Sequence, residues 1–382
     1  MSLQSRRPAV FLDSEHYRQP GFGSNHPLAF ARVSAVVDLC TSLGWLSPDE
    51  LRACPGATVE RLCEFHDRAY VEALRDADAR GRVDLPVREA FAIGTSENPL
   101  FPGVFARAAA AVGGSILAAE LALAGAVVFH PGGGTHHGRP GRASGFCYFN
   151  DPVFALRTFI AGGCTRILYV DLDAHHGDGV QDAMRDEPHV HTISLHEAGR
   201  WPHTGAVEDA GAGRACNYPV PAGFNDDELD FLMQAAVLPY AEQLQPDALV
   251  ITCGTDALAG DPLSGLQLGN GALWRAVEQL VQRVPAAVVL GGGGYNPWTL
   301  VRCWAGLWAR LSGRELPDRL PPPAQAILGS LGCDLIDDDD IKPQWLTTLA
   351  DAPRGGSVRA AVRDLVPRAA SARRAALDRG RY

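Results

Sequence analysis

The sequence has no Cys-x-x-Cys pair, no unbroken run of about 18 apolar residues, and no apolar segment behind the arginines near its start. Each absence excludes something. The nine cysteines, at 40, 54, 63, 147, 164, 216, 253, 303 and 333, are scattered and odd in number, so a full disulfide framework is not expected. Such cysteines read as small buried hydrophobes in a reducing compartment. The opening Met1-Ser-Leu-Gln-Ser-Arg-Arg-Pro8 lacks the apolar core of a signal peptide. No membrane-spanning helix is expected, and the protein reads as cytoplasmic. Positive charge is also short: 34 basic side chains face 44 acidic ones, a net −10. That balance gives no general attraction to nucleic acid, and no direct binding to it is expected.

What the 382 residues do contain is an ordinary globular mix, 46% hydrophobic and 20% charged, enough for a sizeable core. Short β-branched runs at 126–130, 166–170, 189–195, 247–252 and 286–290 read as buried strands. Helical patterns lie between and around them, at about 103–124, 152–161, 226–245, 271–284 and 297–312. This rhythm predicts an α/β fold: a central parallel sheet with helices on both faces. One domain is expected over residues 10–315. Residues 316–382, with Pro321 to Pro323, four acids at 337–340 and an Arg/Ala-rich end, read as a C-terminal extension of peripheral helices or tail.

In parallel α/β sheets, functional groups gather at the carboxyl ends of strands. Four of the five expected strands are followed at once by glycines and titratable residues. These are Pro131-Gly-Gly-Gly-Thr-His136-His137, Asp171-Leu-Asp173-Ala-His175-His176-Gly-Asp178, Cys253-Gly-Thr-Asp256, and Gly291-Gly-Gly-Gly-Tyr295. Asp173 and His175, two apart in extended chain, aim at one point. With Asp256 they make two carboxylates and an imidazole, a set suited to a catalytic metal with an open position. His136 and His137 are two proton carriers, and Asp171 and Asp178 are two spare carboxylates to orient them. The phenol of Tyr295 suits a developing oxyanion. Cys147 reads as packing.

These segments, with Ser144-Gly-Phe-Cys-Tyr-Phe-Asn-Asp151, Gly254-Thr-Asp-Ala-Leu-Ala-Gly-Asp-Pro262 and Leu290 to Asn296, resemble the histone deacetylase superfamily. They are nearest to class I enzymes and bacterial acetoin-utilisation deacetylases, over about residues 10–312. The resemblance implies an arginase/deacetylase-like fold and metal ligands Asp173, His175 and Asp256, holding zinc or ferrous iron. It implies His137 with Asp178 as general base and acid, His136 with Asp171 as electrostatic support, and Tyr295 as the carbonyl-polarising group. Gly145, Phe146 and Trp201 would line an acyl-lysine tunnel, with Trp201 standing where phenylalanine is usual. Leu263 would sit at the rim, and Glu97 would take the place of an aspartate that holds the substrate backbone. Arg32 resembles the arginine of an internal acetate channel. A K⁺ or Na⁺ site at Asp171, Asp173, His175, Ser194 and Leu195 is also implied.

The expected reaction is hydrolysis of an acyl group from an amine: acyl-lysine in a protein or peptide first, an acetylpolyamine or small acylated amine second. Two other readings compete. A binuclear ureohydrolase would need further acids where Gly177 and Leu258 stand. A non-enzymatic binding module would normally lack a ligand or proton carrier, and none is missing here. A homo-oligomer is compatible with the sequence.

Overall fold

The computed structural model describes residues 7–18, 21–23 and 26–379. Within them an eight-stranded, wholly parallel sheet forms the spine. Its strands are β1 (Ala9–Asp13), β2 (Leu51–Ala53), β3 (Val127–His130), β4 (Ile167–Asp171), β5 (Val190–Glu197), β6 (Ala215–Val220), β7 (Ala248–Thr252) and β8 (Ala286–Leu290). They lie in the order β2-β1-β3-β8-β7-β4-β5-β6. The principal helices are α1 (Arg32–Ser42), α2 (Val104–Leu123), α3 (Asp151–Ala161), α4 (Asp226–Leu232), α5 (Leu238–Leu244), α6 (Asn270–Val281), α7 (Pro297–Ser312), α8 (Pro322–Gly329) and α9 (Leu365–Arg379).

Strand periodicity divides the core in two. Val128, Tyr169, Val250 and Val288 point to the face covered by α2 and α3. Phe129, Val170, Ile251 and Val289 point to the other, covered by α1, α4, α5, α6 and α7. The central strands β3, β4, β7 and β8 are buried throughout, which is why their sequences read as unbroken apolar runs. All five strands expected from sequence form. β1, β2 and β6 were not foreseen: β2 has three residues at one edge, and β6, at the other edge, contains Pro219. Edge strands tolerate proline, but a proline in a short run hides the strand from pattern reading.

The helical pattern at 226–245 forms in three pieces. A π-turn, Met233–Val237, separates α4 from α5, and Pro239 stands at the start of α5. Proline cannot donate to the preceding turn, and the wider turn takes up that mismatch. α2 meets the length and apolarity needed to cross a membrane, which a search for unbroken apolar runs misses because Arg107 and Glu120 interrupt it. Residues Ala109 to Ile116 of α2 are buried in the fold, and α2 packs on α3, β3 and β8. Core packing therefore accounts for its composition.

The triple proline after Leu320 opens α8 instead of ending structure, since proline is well suited to a first helical turn. Residues beyond 316 lie against the core: Leu320, Ala324, Leu328, Trp345, Leu349, Val362, Leu365 and Ala369 join the cluster of α1 and α7. The buried Arg302 of α7 pairs with Asp351 at 2.8 Å, and Arg359 with the buried Glu228 at 2.6 Å.

Candidate metal centre and cavity

The carboxyl ends of β3, β4, β5, β7 and β8 lie side by side, so the segments after them meet at one edge of the sheet. The turn after β3 is held by Asp151 at the start of α3. Its carboxylate accepts N–H bonds from Gly134 at 3.0 Å and Thr135 at 2.7 Å, and the Ser115 hydroxyl of α2 at 2.5 Å. That anchor fixes where His136 and His137 emerge.

After β4 and β7, Asp173, His175 and Asp256 converge, all buried, with ligand atoms within 4.8 Å of one another. His175 Nδ1 lies 2.9 Å from Asp256 Oδ2 and 3.2 Å from Asp173 Oδ1. Burial works against a charged imidazole, yet the two carboxylates push His175 up to about 10. Burial and the charge of Asp173 push Asp256 upward. Two anionic oxygens and one nitrogen crowded in a dry site suit a divalent cation. Glycines permit the crowding: a Cβ on Gly254 would lie 2.1 Å from Asp173 Oδ2, and one on Gly293 2.1 Å from Asp256 Oδ2.

Both histidine–carboxylate pairs form. His136 Nδ1 lies 2.6 Å from Asp171 Oδ2, which also accepts the Tyr169 hydroxyl at 2.7 Å. His137 Nδ1 lies 2.7 Å from Asp178 Oδ1, while Arg139 donates to Asp178 Oδ2. The two imidazoles differ. Burial opposes charge on His136, but Asp171 and Asp173 outweigh it and push the group up to about 9. For His137, burial and the neighbouring His136 outweigh Asp178 and push it down to about 3. His137 is therefore neutral, with Nδ1–H given to Asp178 and the Nε2 lone pair free to take a proton.

A cavity of about 560 Å³ opens above this cluster. Glu97, His137, Gly145, Phe146, His175, Trp201, Leu263 and Tyr295 all line it, so every substrate-facing residue expected from the sequence meets there. Phe146 and Trp201 supply aromatic walls of the cavity. Trp201 packs edge-on against His137 at 4.6 Å and Phe146 against Tyr295 at 5.9 Å. A Cβ on Gly145 would strike Trp201 at 2.4 Å, so the aromatic floor requires glycine there. Burial holds the Tyr295 phenol well above its usual range, leaving it a hydrogen-bond donor. Its backbone N–H donates to Asp261 at 2.7 Å, and Leu263 N–H reaches the same carboxyl at 2.9 Å.

Glu197, Arg200 and His203 also line the cavity and were not foreseen. Glu197 ends β5 on the same edge as the rest, so the strand-end rule would have found it. Arg200 pairs with Glu197 at 2.5 Å and donates to the Leu263 carbonyl at 2.8 Å, clamping the rim. Arg32 lies behind the cluster and donates to the Gly292 carbonyl at 2.7 Å. Ser194 stands opposite Asp171 in the β4–β5 register, next to Leu195. The buried Cys147 thiol donates to the Gly145 carbonyl at 3.2 Å, and burial pushes it far up, which leaves it inert.

The fold and this cluster together define a class: a parallel α/β protein with a candidate metal centre at the carboxyl edge of its sheet. Comparison with known proteins narrows it. The histone deacetylase domain model matches residues 26–311. The acetoin utilization protein AcuC of Bacillus subtilis is 33% identical over 331 residues, covering 83% of this chain and 85% of that protein. Histone deacetylase 8 of Xenopus tropicalis is 32% identical, covering 76% of this chain and 80% of its own. The crystal structure of an HDAC homologue from Aquifex aeolicus superposes with a TM-score of 0.91 at 36% identity, over 95% of this chain and all of that one. The chain belongs to the histone deacetylase family, a family of hydrolases, and has its arginase/deacetylase-like fold.

Proposed function

We propose that the protein is a zinc-dependent deacylase, with ferrous iron the alternative metal, that hydrolyses acyl-lysine in proteins or peptides. The observation that carries this reading is geometric: His137, held on Asp178 at 2.7 Å, lines the same cavity as Tyr295 and the His175 of the Asp173–His175–Asp256 trio. Residues 10–315 would form the catalytic domain and 316–382 an extension docked on it, working in the cytoplasm. K⁺ or Na⁺ would bind near Asp171 and Ser194.

A divalent ion held by Asp173, His175 and Asp256 would supply Lewis acidity to a carbonyl oxygen and to water. His137 Nε2 takes the proton of the attacking water and passes it to the departing amine. Asp178 holds the imidazole in the tautomer that can do this and stabilises it while charged. Tyr295 donates its phenol proton as a hydrogen bond to the oxyanion. The charged His136, fixed by Asp171, adds positive potential beside the reacting carbonyl. Phe146 and Trp201 strip water from the lysine stem, and Glu97 at the mouth accepts backbone N–H groups.

An acetylpolyamine is the second reading, because Glu97 could hold a distal ammonium equally. The apolar Leu263 at the rim favours the peptide. The test is metal analysis with turnover. One transition metal per chain, lost with activity in Asp256→Ala, and a higher kcat/KM for acetyl-lysine peptide than for acetylpolyamine are expected. Tyr295→Phe should slow turnover by about 10²–10³ while substrate still binds. Full metal and activity in Asp256→Ala would remove the ligand assignment. A preference for the polyamine that Glu97→Gln abolishes would replace the substrate.

A further inference from the structure

Tyr295 ends a segment that is poorly able to place it. Gly292 and Gly294, just before it, have φ of 147° and 138°, a region that residues with a Cβ rarely adopt. Glycine is the most permissive residue there, so the segment has little conformational preference of its own. The hydrogen bonds of Tyr295 among the described residues are made by its backbone, which leaves the phenol free for substrate. Its ring meets Phe146 and His175 only edge-on, at 5.9 and 6.4 Å. Its carbonyl takes the thiol of Cys333 at 3.6 Å, a weak donor. The strong anchor is its N–H, given to Asp261 Oδ2 at 2.7 Å.

Asp261 is 6% exposed and is not among the residues that line the cavity. Its carboxyl joins two parts of the site. Oδ2 holds Tyr295, and Oδ1 accepts the N–H of the rim residue Leu263 at 2.9 Å. The same rim segment is tied to the end of β5 twice more: Arg200 donates to the Leu263 carbonyl at 2.8 Å, and Gly265 N–H donates to Glu197 at 2.8 Å. Burial, and then the charge of Asp256, push the Asp261 carboxyl up to about 7, while the two N–H donors pull the other way. The phenol stands a full ring beyond the Tyr295 Cα. A small backbone rotation would therefore carry the hydroxyl out of line, and hydrogen bonds weaken steeply with angle.

We propose that Asp261 is the positioning residue of Tyr295: it acts on the reaction only by holding the Tyr295 backbone where the phenol meets the oxyanion. This rests on the deacylase reading, in which Tyr295 is the oxyanion donor.

The experiment uses the full chain loaded with zinc and an acetyl-lysine peptide. Asp261→Asn keeps the size but replaces one acceptor oxygen by an NH₂ group, which cannot take an N–H. Zinc should stay bound, and kcat should fall by about ten- to a hundredfold, short of the 10²–10³ expected for losing the phenol outright. KM should stay within about threefold, because Arg200 and Glu197 still hold the rim and the lost contact acts in the transition state. In a Tyr295→Phe background the same substitution should change kcat by less than about threefold, since the group that Asp261 aims is gone. A role in folding alone would cost the same in both backgrounds. If Asp261→Asn fails to fold, the bond itself is removed instead. An ester in place of the Gly294–Tyr295 amide, introduced as the α-hydroxy analogue of tyrosine, deletes that N–H and keeps every side chain. It should reproduce the fall in kcat.

A slow Tyr295→Phe beside an Asp261→Asn or an ester variant at the wild-type rate overturns the proposal and leaves the deacylase reading standing. Equal losses in both backgrounds, or loss of zinc in Asp261→Asn, overturn it as well. Tyr295→Phe at the wild-type rate overturns the donor role in the deacylase reading, and the proposal with it.

Discussion

Two groups of histidines, equally buried, sit in two regions of this molecule. At the sheet edge, His136, His137 and His175 each touch an aspartate at 2.6 to 2.9 Å. In the packed body, His66, His130 and His196 bond only to neutral groups. His66 lies 3.0 Å from the Arg139 carbonyl and accepts the Asn150 N–H at 3.1 Å. His130 sits between the hydroxyls of Tyr17 and Ser115, each at 3.1 Å. His196 meets the Ser194 hydroxyl at 2.9 Å and the Gly205 carbonyl at 3.0 Å. Burial pushes all three packed histidines down, His66 to about 4 and the other two to about 3. At the edge, aspartates reverse that for His136 and His175. His137 is the exception. It has an aspartate, yet it stays neutral like a packed histidine. Its aspartate is shared with Arg139, and a charged His136 stands 3.9 Å away, ring to ring. The comparison teaches that a carboxylate partner alone does not decide protonation; burial and a charged neighbour can outweigh it.

The largest expected effect tests this contrast between the tandem pair. A neutral proton carrier does work that a charged neighbour cannot, so His137→Ala should cost about 10²–10⁴ in kcat, the usual range for a general base. His136→Ala should cost less, because His136 contributes potential and no proton transfer. Steady-state rates on an acetyl-lysine peptide decide it. If His136→Ala is clearly the worse of the two, the roles must be exchanged.

The packed histidines give the next effect, on stability. Their folded-state values lie below the usual 6.5, so the unfolded chain takes up protons that the folded chain refuses. Stability from this source is complete above about pH 6.5 and is lost as pH falls through about 4 toward 3. Each such histidine contributes a slope of up to about 1.4 kcal/mol per pH unit within that window. Thermal melts of the metal-loaded protein should therefore fall steeply below pH 6.5. His130→Asn, if it folds, should flatten the fall by one histidine's share. A melting temperature constant from pH 7 to 5 would break the contrast from the packing side.

Much of the edge region was legible in the sequence because strand ends and short-range spacing are local properties. Asp173 and His175 are two residues apart, and His136 and His137 adjoin, so their juxtaposition needs no long-range information. The strand runs that place Asp256 and Tyr295 beside them were equally plain, since β7 and β8 are buried on both faces. What sequence did not reveal depends on through-space partners. The Arg139–Asp178 contact joins residues 39 apart, and the Glu197–Arg200 clamp matters only because Leu263 lies against it. The docking of α8 on α1 and of α9 on β6 rests on short apolar stripes, Ala324 with Leu328 and Leu365 with Ala369, which are hard to pick out in a tail rich in arginine and proline.

The smallest effect concerns Arg139, and it bears directly on why His137 departs from its neighbours. The Arg139 side chain is about a quarter exposed, at 23%, and divides its two ends between Asp178 and Asp182. Burial opposes ionisation of Asp178, but His137 and Arg139 hold it below the usual carboxylate range. In Arg139→Gln, Asp178 serves His137 alone, and one positive charge leaves the surroundings of the imidazole. Both changes favour the imidazolium, so the His137 value should rise. A base that holds its proton more tightly is available only at higher pH. The acid limb of kcat/KM should therefore move upward, by up to about one pH unit, the low end of what a nearby charge produces. The plateau above that limb should change by no more than a few-fold, since His137 keeps its aspartate and its place beside Trp201. Arg139→Lys, which keeps the charge, should leave the limb near its wild-type position. An acid limb that stays put in Arg139→Gln, or moves downward, would mean that His136 alone keeps His137 neutral. The sharing of Asp178 would then play no part in the difference between the two groups.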